Sequence, residues 1–216
     1  MAGRRSRDDA RGRTTAVGED YLKVIWKLQE RSDEPVTTGV LARALGVGAP
    51  TVSETVRRLA AQGWVEHAPY RPVTLTAEGR TVAVGMVRRH RLIETWLVEH
   101  LGYTWDEVHD EAEVLEHAVS DRFVDALDEL LGHPWRDPHG DPVPAPDGRV
   151  RTVRGIPASD LCEGERGRVV RVDDDDPAAL RACAAAGAVL DAVLVGPVRL
   201  PAAALGALQV ERLGRE

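Results

Sequence analysis

The chain has 216 residues, with 28 Lys/Arg, 35 Asp/Glu, seven His and two Cys. Its length suits one or two domains or three small ones, its apolar content excludes a disordered chain, and no run approaches the roughly 18 apolar residues of a membrane span. The opening MAGRRSRDDARGR is basic but has no apolar stretch after it, so a cytoplasmic protein is expected. Cys162 and Cys183 stand in neither a CxxC nor a zinc-like spacing, which excludes a disulfide framework.

The net charge of −7 is unevenly spread. Residues 1–90 carry 15 Lys/Arg against 10 Asp/Glu, a balance of +5, and residues 91–216 carry 13 against 25, a balance of −12. The first part suits a polyanion and the second suits cations.

After a basic tail over residues 1–14, Tyr21, Leu22, Val24, Ile25 and Leu28 recur at helical spacing, predicting a helix over Val17–Glu30. Val36–Leu45 and Pro50–Gln62 are two short helices around GVGA, the helix-turn-helix pattern, with Pro50 suited to a first turn. Trp64–Ala68 and Val73–Thr76 read as two strands around the tip PYRP, the hairpin of a winged helix. A helical block follows from Ala77 to Leu131, with apolar stripes at Val84, Val87, Ile93 and Leu97, then in a helix His109–Leu131 at Ala112, Leu115, Val119, Phe123, Ala126 and Leu130. The Pro-, Gly- and Asp-rich segment 132–148 reads as a boundary or linker without regular structure. From about Ile156, Val/Leu-rich segments and one short helix, Pro177–Ala186, predict a small β-barrel-like module.

In a helix-turn-helix the second helix places its first residues against base edges. Pro50, Thr51, Ser53 and Glu54 occupy that position here, Arg57 and Arg58 follow one turn later to meet phosphates, and Tyr70 and Arg71 stand at the wing tip. Glu54 fits only as an acceptor from a cytosine amine. The plainer reading is a solvated helix face. The arginines at positions 4, 5, 7, 11 and 13 could add salt-sensitive phosphate contacts, although a disordered tail explains them as well.

The acidic part gathers hard donors. Glu113, Glu116 and His117 stand at i, i+3 and i+4 beside the apolar stripe of Ala112, Leu115 and Val119, and His90 and Glu94 form an i, i+4 pair on the preceding helix, with His109 between. Each alone reads as a solvated or salt-bridged residue, with Arg88, Arg89 and Arg91 at hand. Together, two helical pairs and His109 resemble the carboxylate–histidine sites built between helices. With no Cys or Met among them, such sites favour Mn(II) or Fe(II), while Zn(II) or Co(II) could substitute in vitro.

The order winged helix, RRHRLIE, HDEAEVLEHAVSD and HPWRDPHGDPVP resembles the diphtheria-toxin-repressor family of metal-dependent transcriptional regulators, over about residues 15–145 and more loosely beyond. The resemblance implies a mainly α chain with small β elements. It comprises a winged helix-turn-helix DNA-binding domain (15–80), a helical dimerisation and metal-binding domain (81–147) and an SH3-like or FeoA-like small β-barrel (148–216). It implies an activating site of Asp20, Glu113, Glu116 and His117, and an ancillary site of His90, Glu94 and His109, with Asp176 of the Asp173–Asp176 run as a further ligand. Positions matching Asp20 and Glu113 are Met and Cys in the iron-responsive branch and carboxylates in the manganese-responsive one, which implies Mn(II). Lys23 stands where the bacillary manganese regulator has a further Glu. The implied function is Mn(II)-dependent repression by a homodimer on palindromic double-stranded operator DNA, with no membrane and no organic substrate. Alternatives are an iron(II)-dependent repressor, a metal-independent winged-helix regulator, and a metallohydrolase with Glu94 or Glu116 as base, for which no nucleophile motif or phosphate-binding glycine loop is present.

Overall fold

Thr15 starts the first helix: its hydroxyl accepts from the Gly18 N–H at 3.2 Å, and Glu19 in the first turn suits the positive end of the helix dipole. This computed structural model describes residues 15–68, 71–174 and 176–215, so Tyr70 and the tail arginines lie outside the described residues. Two units result, one of residues up to Arg88 with Pro146–Arg149, the other of Arg89–Ala145 with residues from Val150 onward.

In the first unit, α1 (Ala16–Arg31) buries Tyr21, Leu22, Ile25 and Trp26 on one face. Thr37 caps α2 (Thr38–Ala44), which ends before Gly46 at a φ of 64° that favours glycine. Helix α3 (Ala49–Ala61) packs on α2 and carries Pro50 in its first turn, where a missing N–H costs little. Strands β1 (Val65–Glu66) and β2 (Thr74–Leu75) pair antiparallel with Val65 opposite Leu75. They are shorter than the sequence suggests because the Val73 N–H donates to Val36 O at 2.8 Å instead of extending the ladder. Helix α4 (Ala77–Leu101) starts against this hairpin: a Cβ on Gly79 would lie 1.8 Å from Trp64 O, so only glycine permits the approach.

In the second unit, the helix expected over His109–Leu131 is two, α5 (Val108–Ala118) and α6 (Asp121–Leu130). Val119 is extended and Ser120 caps α6 by accepting from the Phe123 N–H, while Arg89 bonds Val119 O and Asp121. The break changes the buried face. Ala112 and Leu127 stay in the core with Ile93, Leu97 and Val108, but Phe123 and Leu130 are exposed.

Segment 132–148 corrects another expectation. It has no helix or named strand, yet its middle is buried rather than a free linker. Asp137 Oδ1 accepts from the N–H groups of His139 at 2.8 Å and Asp141 at 2.9 Å, closing an Asx turn, and Arg91 donates to Pro142 O at 2.8 Å.

The remaining residues form a four-stranded antiparallel sheet in the order β3 (Ile156–Pro157), β6 (Leu208–Arg215), β4 (Glu165–Val172) and β5 (Val193–Val195). Helix α7 (Pro177–Ala185) and α8 (Ala202–Ala207), the latter not anticipated from the sequence, complete a core of Val169, Val172, Leu180, Cys183, Leu208 and Val210. Among the described residues, no helix is long and apolar enough to cross a membrane.

Candidate metal centre and nucleic-acid interface

The spacing of His90 and Glu94 on α4 puts both side chains on the buried side of that helix, 4% and 0% exposed. His90 Nε2 lies 3.0 Å from Glu94 Oε1, and its Nδ1 lies 2.7 Å from Glu116 Oε2 on α5 and 3.9 Å from Glu113 Oε1. His109, at the start of α5, places Nδ1 3.3 Å from Glu94 Oε1 and 3.2 Å from Asp174 Oδ2, and Nε2 3.6 Å from Glu113 Oε1. Thus His90, Glu94, His109 and Asp174 each bring a ligand atom within 4.8 Å of the others, as do His90, Glu113 and Glu116. His117 Nε2 stands 3.6 Å from Glu116 Oε1. Asp20 lies half-buried on α1 in the first unit.

The electrostatics are those of closely paired imidazole and carboxylate groups. Burial pushes the Glu94 carboxyl up, but the imidazoles of His90, His109 and His139 more than offset this and hold its pKa well below the usual value. Burial pulls His109 down, whereas its hydrogen bonds to Asp174 and Glu94 raise it to about 10. The buried Glu94 Oε2 has no hydrogen-bond partner, a costly state for a carboxylate in the interior unless a cation is held there. Oxygen and imidazole donors with this orphaned atom fit a hard divalent ion.

Asp176, the residue read from the sequence as a further ligand, instead caps α7 by accepting from the Ala178 N–H at 2.8 Å. Asp174, two residues earlier and 4% exposed, is the aspartate beside His109.

On α3, Val52, Val56 and Leu59 are buried, while Pro50, Thr51, Glu54, Arg57 and Arg58 are exposed and Ser53 is half-buried. The first turn has no side-chain cap and no acidic residue, so its N–H groups remain suited to phosphate oxygens. Arg71 is exposed at the wing.

Residues 13–73 match the model of the iron-dependent repressor N-terminal DNA-binding domain, and residues 76–145 that of the iron-dependent repressor metal-binding and dimerisation domain. The diphtheria toxin repressor of Corynebacterium efficiens is 37% identical over 163 residues, covering 72% of this chain and 70% of its own. The chain belongs to the iron-dependent repressor family. Its members are metal-dependent transcriptional repressors, not enzymes. The iron-dependent repressor IdeR of Mycobacterium leprae is 34% identical, covering 70% of this chain and 69% of its own. A solved manganese-dependent transcriptional repressor in complex with manganese matches 91% of this chain and 100% of its own, with a TM-score of 0.83 and 46% identity. The manganese regulator SloR matches 90% and 98%, with a TM-score of 0.74 and 32% identity. For this repressor the winged-helix head, the helical metal-binding segment and the small C-terminal sheet domain all agree with the family fold.

Sequence reasoning took Asp176 rather than Asp174 from the Asp173–Asp176 run, and it did not single out Asp137 and His139, which lie beside Glu94. The signal for the last two was present in DPHGD, an Asx-turn sequence that places His139 between two aspartates.

Proposed function

We propose that this chain is a Mn(II)-dependent repressor that binds palindromic operator DNA as a homodimer in the cytoplasm. Asp20, Glu113, Glu116 and His117 are the activating ligands, and His90, Glu94, His109 and Asp174 the ancillary ones. The observation that carries the reading is the buried convergence of carboxylate and imidazole groups without a thiolate or thioether. The manganese complex of a 46% identical structural relative supports the choice of ion. Iron(II) is the second reading, favoured by the relatives named as iron-dependent. A bound divalent ion supplies positive charge that offsets the carboxylates and replaces protons on the imidazoles.

The chain's own groups do the rest. Pro50, Thr51, Ser53 and Glu54 meet base edges, while Arg57, Arg58 and Arg71 meet the phosphate backbone. Exposed Phe123 and Leu130 on α6 supply apolar surface for a second copy, whose recognition helix then meets the other half-site. The conformation with all ligands engaged is the DNA-competent one, so metal shifts the population by its differential affinity for that state.

The test is operator binding by metal-free protein with Mn(II), Fe(II) under anaerobic conditions, and Zn(II) added separately. Mn(II) should restore binding at free concentrations within its own physiological range, whatever the tighter intrinsic binding of Zn(II) to the same donors. Equal binding with and without metal would instead make the protein a metal-independent regulator.

A further inference from the structure

Beside the ancillary ligands, the buried turn 137–141 presents a group that the four-ligand reading does not use. His139 is fully buried, its ring stacked 6.2 Å from that of Trp105 at 15°. Its Nε2 lies 2.6 Å from Trp105 O, a contact only an N–H can make well, so Nε2 carries the hydrogen and Nδ1 is the open ring position. That Nδ1 has no hydrogen-bond partner, and 3.9 Å away stands Glu94 Oε2, equally buried and equally without one. The other oxygen of the same carboxylate, Oε1, faces His90 and His109. Asp137 closes the third side, its carboxylate, with those of Glu94 and the His139 ring, bringing one ligand atom each within 4.8 Å.

Two facing lone pairs in the interior repel unless a proton or a metal ion lies between them. A gap of 3.9 Å is too long for a direct hydrogen bond and spans two metal–ligand bonds of about 2.1 Å set at an open angle. A histidine that donates one ring N–H to a backbone carbonyl while offering the other nitrogen is the usual arrangement of a metal ligand. The neighbouring guanidiniums do not fill the gap: Arg91 Nη2 lies 3.2 Å from Asp141 Oδ2, Arg171 also pairs with Asp141, and Arg91 Nε is 3.7 Å from Asp137 Oδ2.

We propose that Glu94, Asp137 and His139 form a further divalent-cation site, with Glu94 bridging its ion through Oε2 to the ion held through Oε1 by His90, His109 and Asp174. The identity of the ion as Mn(II) rests on the function proposed above. The position of the site rests on the two orphaned atoms. The C-terminal domain enters through Val172, whose N–H donates to His139 O at 2.8 Å and fixes the turn against β4.

The 216-residue chain crystallised with Mn(II) and measured at the manganese absorption edge should give an anomalous peak within bonding distance of both Glu94 Oε2 and His139 Nδ1, separate from one at His90 and His109. After equilibrium dialysis against Mn(II), His139→Phe, which keeps a ring against Trp105, and His139→Ala should each hold one ion fewer per chain than the parent, with folding checked by thermal melting. A peak at His90 and His109 but none at His139 overturns the inference and leaves the proposed function standing. So does an unchanged ion count with about tenfold to hundredfold weaker binding, which would make His139 a residue that only orients Glu94. Absence of bound Mn(II) throughout the chain would sink the manganese reading itself and this inference with it.

Discussion

The strongest electrostatic coupling to test is that of His109 with Asp174. The imidazole lies 3.2 Å from Asp174 and 3.3 Å from Glu94, and its side chain is 28% exposed, so little of the interaction is screened by water. With a folded pKa of about 10 against 6.5 unfolded, protonated His109 stabilises the metal-free fold by about 4–5 kcal/mol at most. Because the folded pKa is the raised one, that stability is fully present below pH 6.5 and is lost as pH climbs through 10. Two carboxylates share the effect, so Asp174→Asn should remove roughly half, about 2 kcal/mol near pH 6.5, and almost nothing near pH 10. Any packing cost of the asparagine is independent of pH. Urea unfolding of both proteins in the presence of a chelator, at pH 6.5, 8 and 9.5, reads the gap between them. A gap that fails to narrow as pH rises refutes the pairing of His109 with Asp174.

A divalent ion held by His109 in the proposed ancillary site would displace its proton below pH 10, so affinity there should fall by about tenfold per pH unit on acidification, with proton release visible by calorimetry in buffers of different ionisation enthalpy. Asp20→Ala and Glu113→Ala should each abolish the Mn(II) response in a gel shift while leaving the circular dichroism unchanged; an undiminished response in both overturns the activating ligand set. Arg57→Ala should weaken operator binding at every metal concentration and lower the slope of log affinity against log salt by about one. Gly79→Ala should lower stability by about 1–3 kcal/mol, because its Cβ would meet Trp64 O at 1.8 Å and the backbone must shift; an unchanged melting temperature would show that α4 does not start against the wing as described.

What was legible in the sequence was whatever local periodicity or capping controls. Helix α1 lies within one residue of its expected ends, and the i, i+4 pair His90 and Glu94 falls on the buried side as its spacing implies. The break at Ser120 was not read because Ala112, Leu115, Val119 and Phe123 continue one stripe across it, although Ser120 followed by Asp121 is itself a helix-start signal. Segment 132–148 looked like a linker because proline, glycine and aspartate are also what a tight buried turn needs. Its charge partners, Arg91 and Arg171, are too distant in sequence for any local pattern to reveal. Among four consecutive aspartates, composition cannot distinguish Asp174 from Asp176. The choice is made by where α7 begins, since the N-cap consumes Asp176 and leaves Asp174 beside His109.

The buried carboxylates therefore have two ways of being neutralised, and this bears on how the repressor sets its threshold. Asp141 is served by Arg91 and Arg171, whereas Glu94, Glu116 and Asp174 face the imidazoles of His90 and His109, and His109, its pKa raised to about 10, carries a proton in the metal-free state. A cation at the proposed site would then replace protons rather than fill a bare cluster of negative charge. At neutral pH the His109 proton alone costs about 4 kcal/mol to displace, comparable to the roughly 5.5 kcal/mol of differential binding needed to drive a two-state switch from 1:99 to 99:1. Every divalent ion meets the same proton cost, so it tunes the free concentration at which the switch turns without favouring one metal over another. Selectivity has to come from the donors themselves, oxygen and imidazole in a buried site, where a softer ion gains nothing from sulfur and a hard one loses nothing without it.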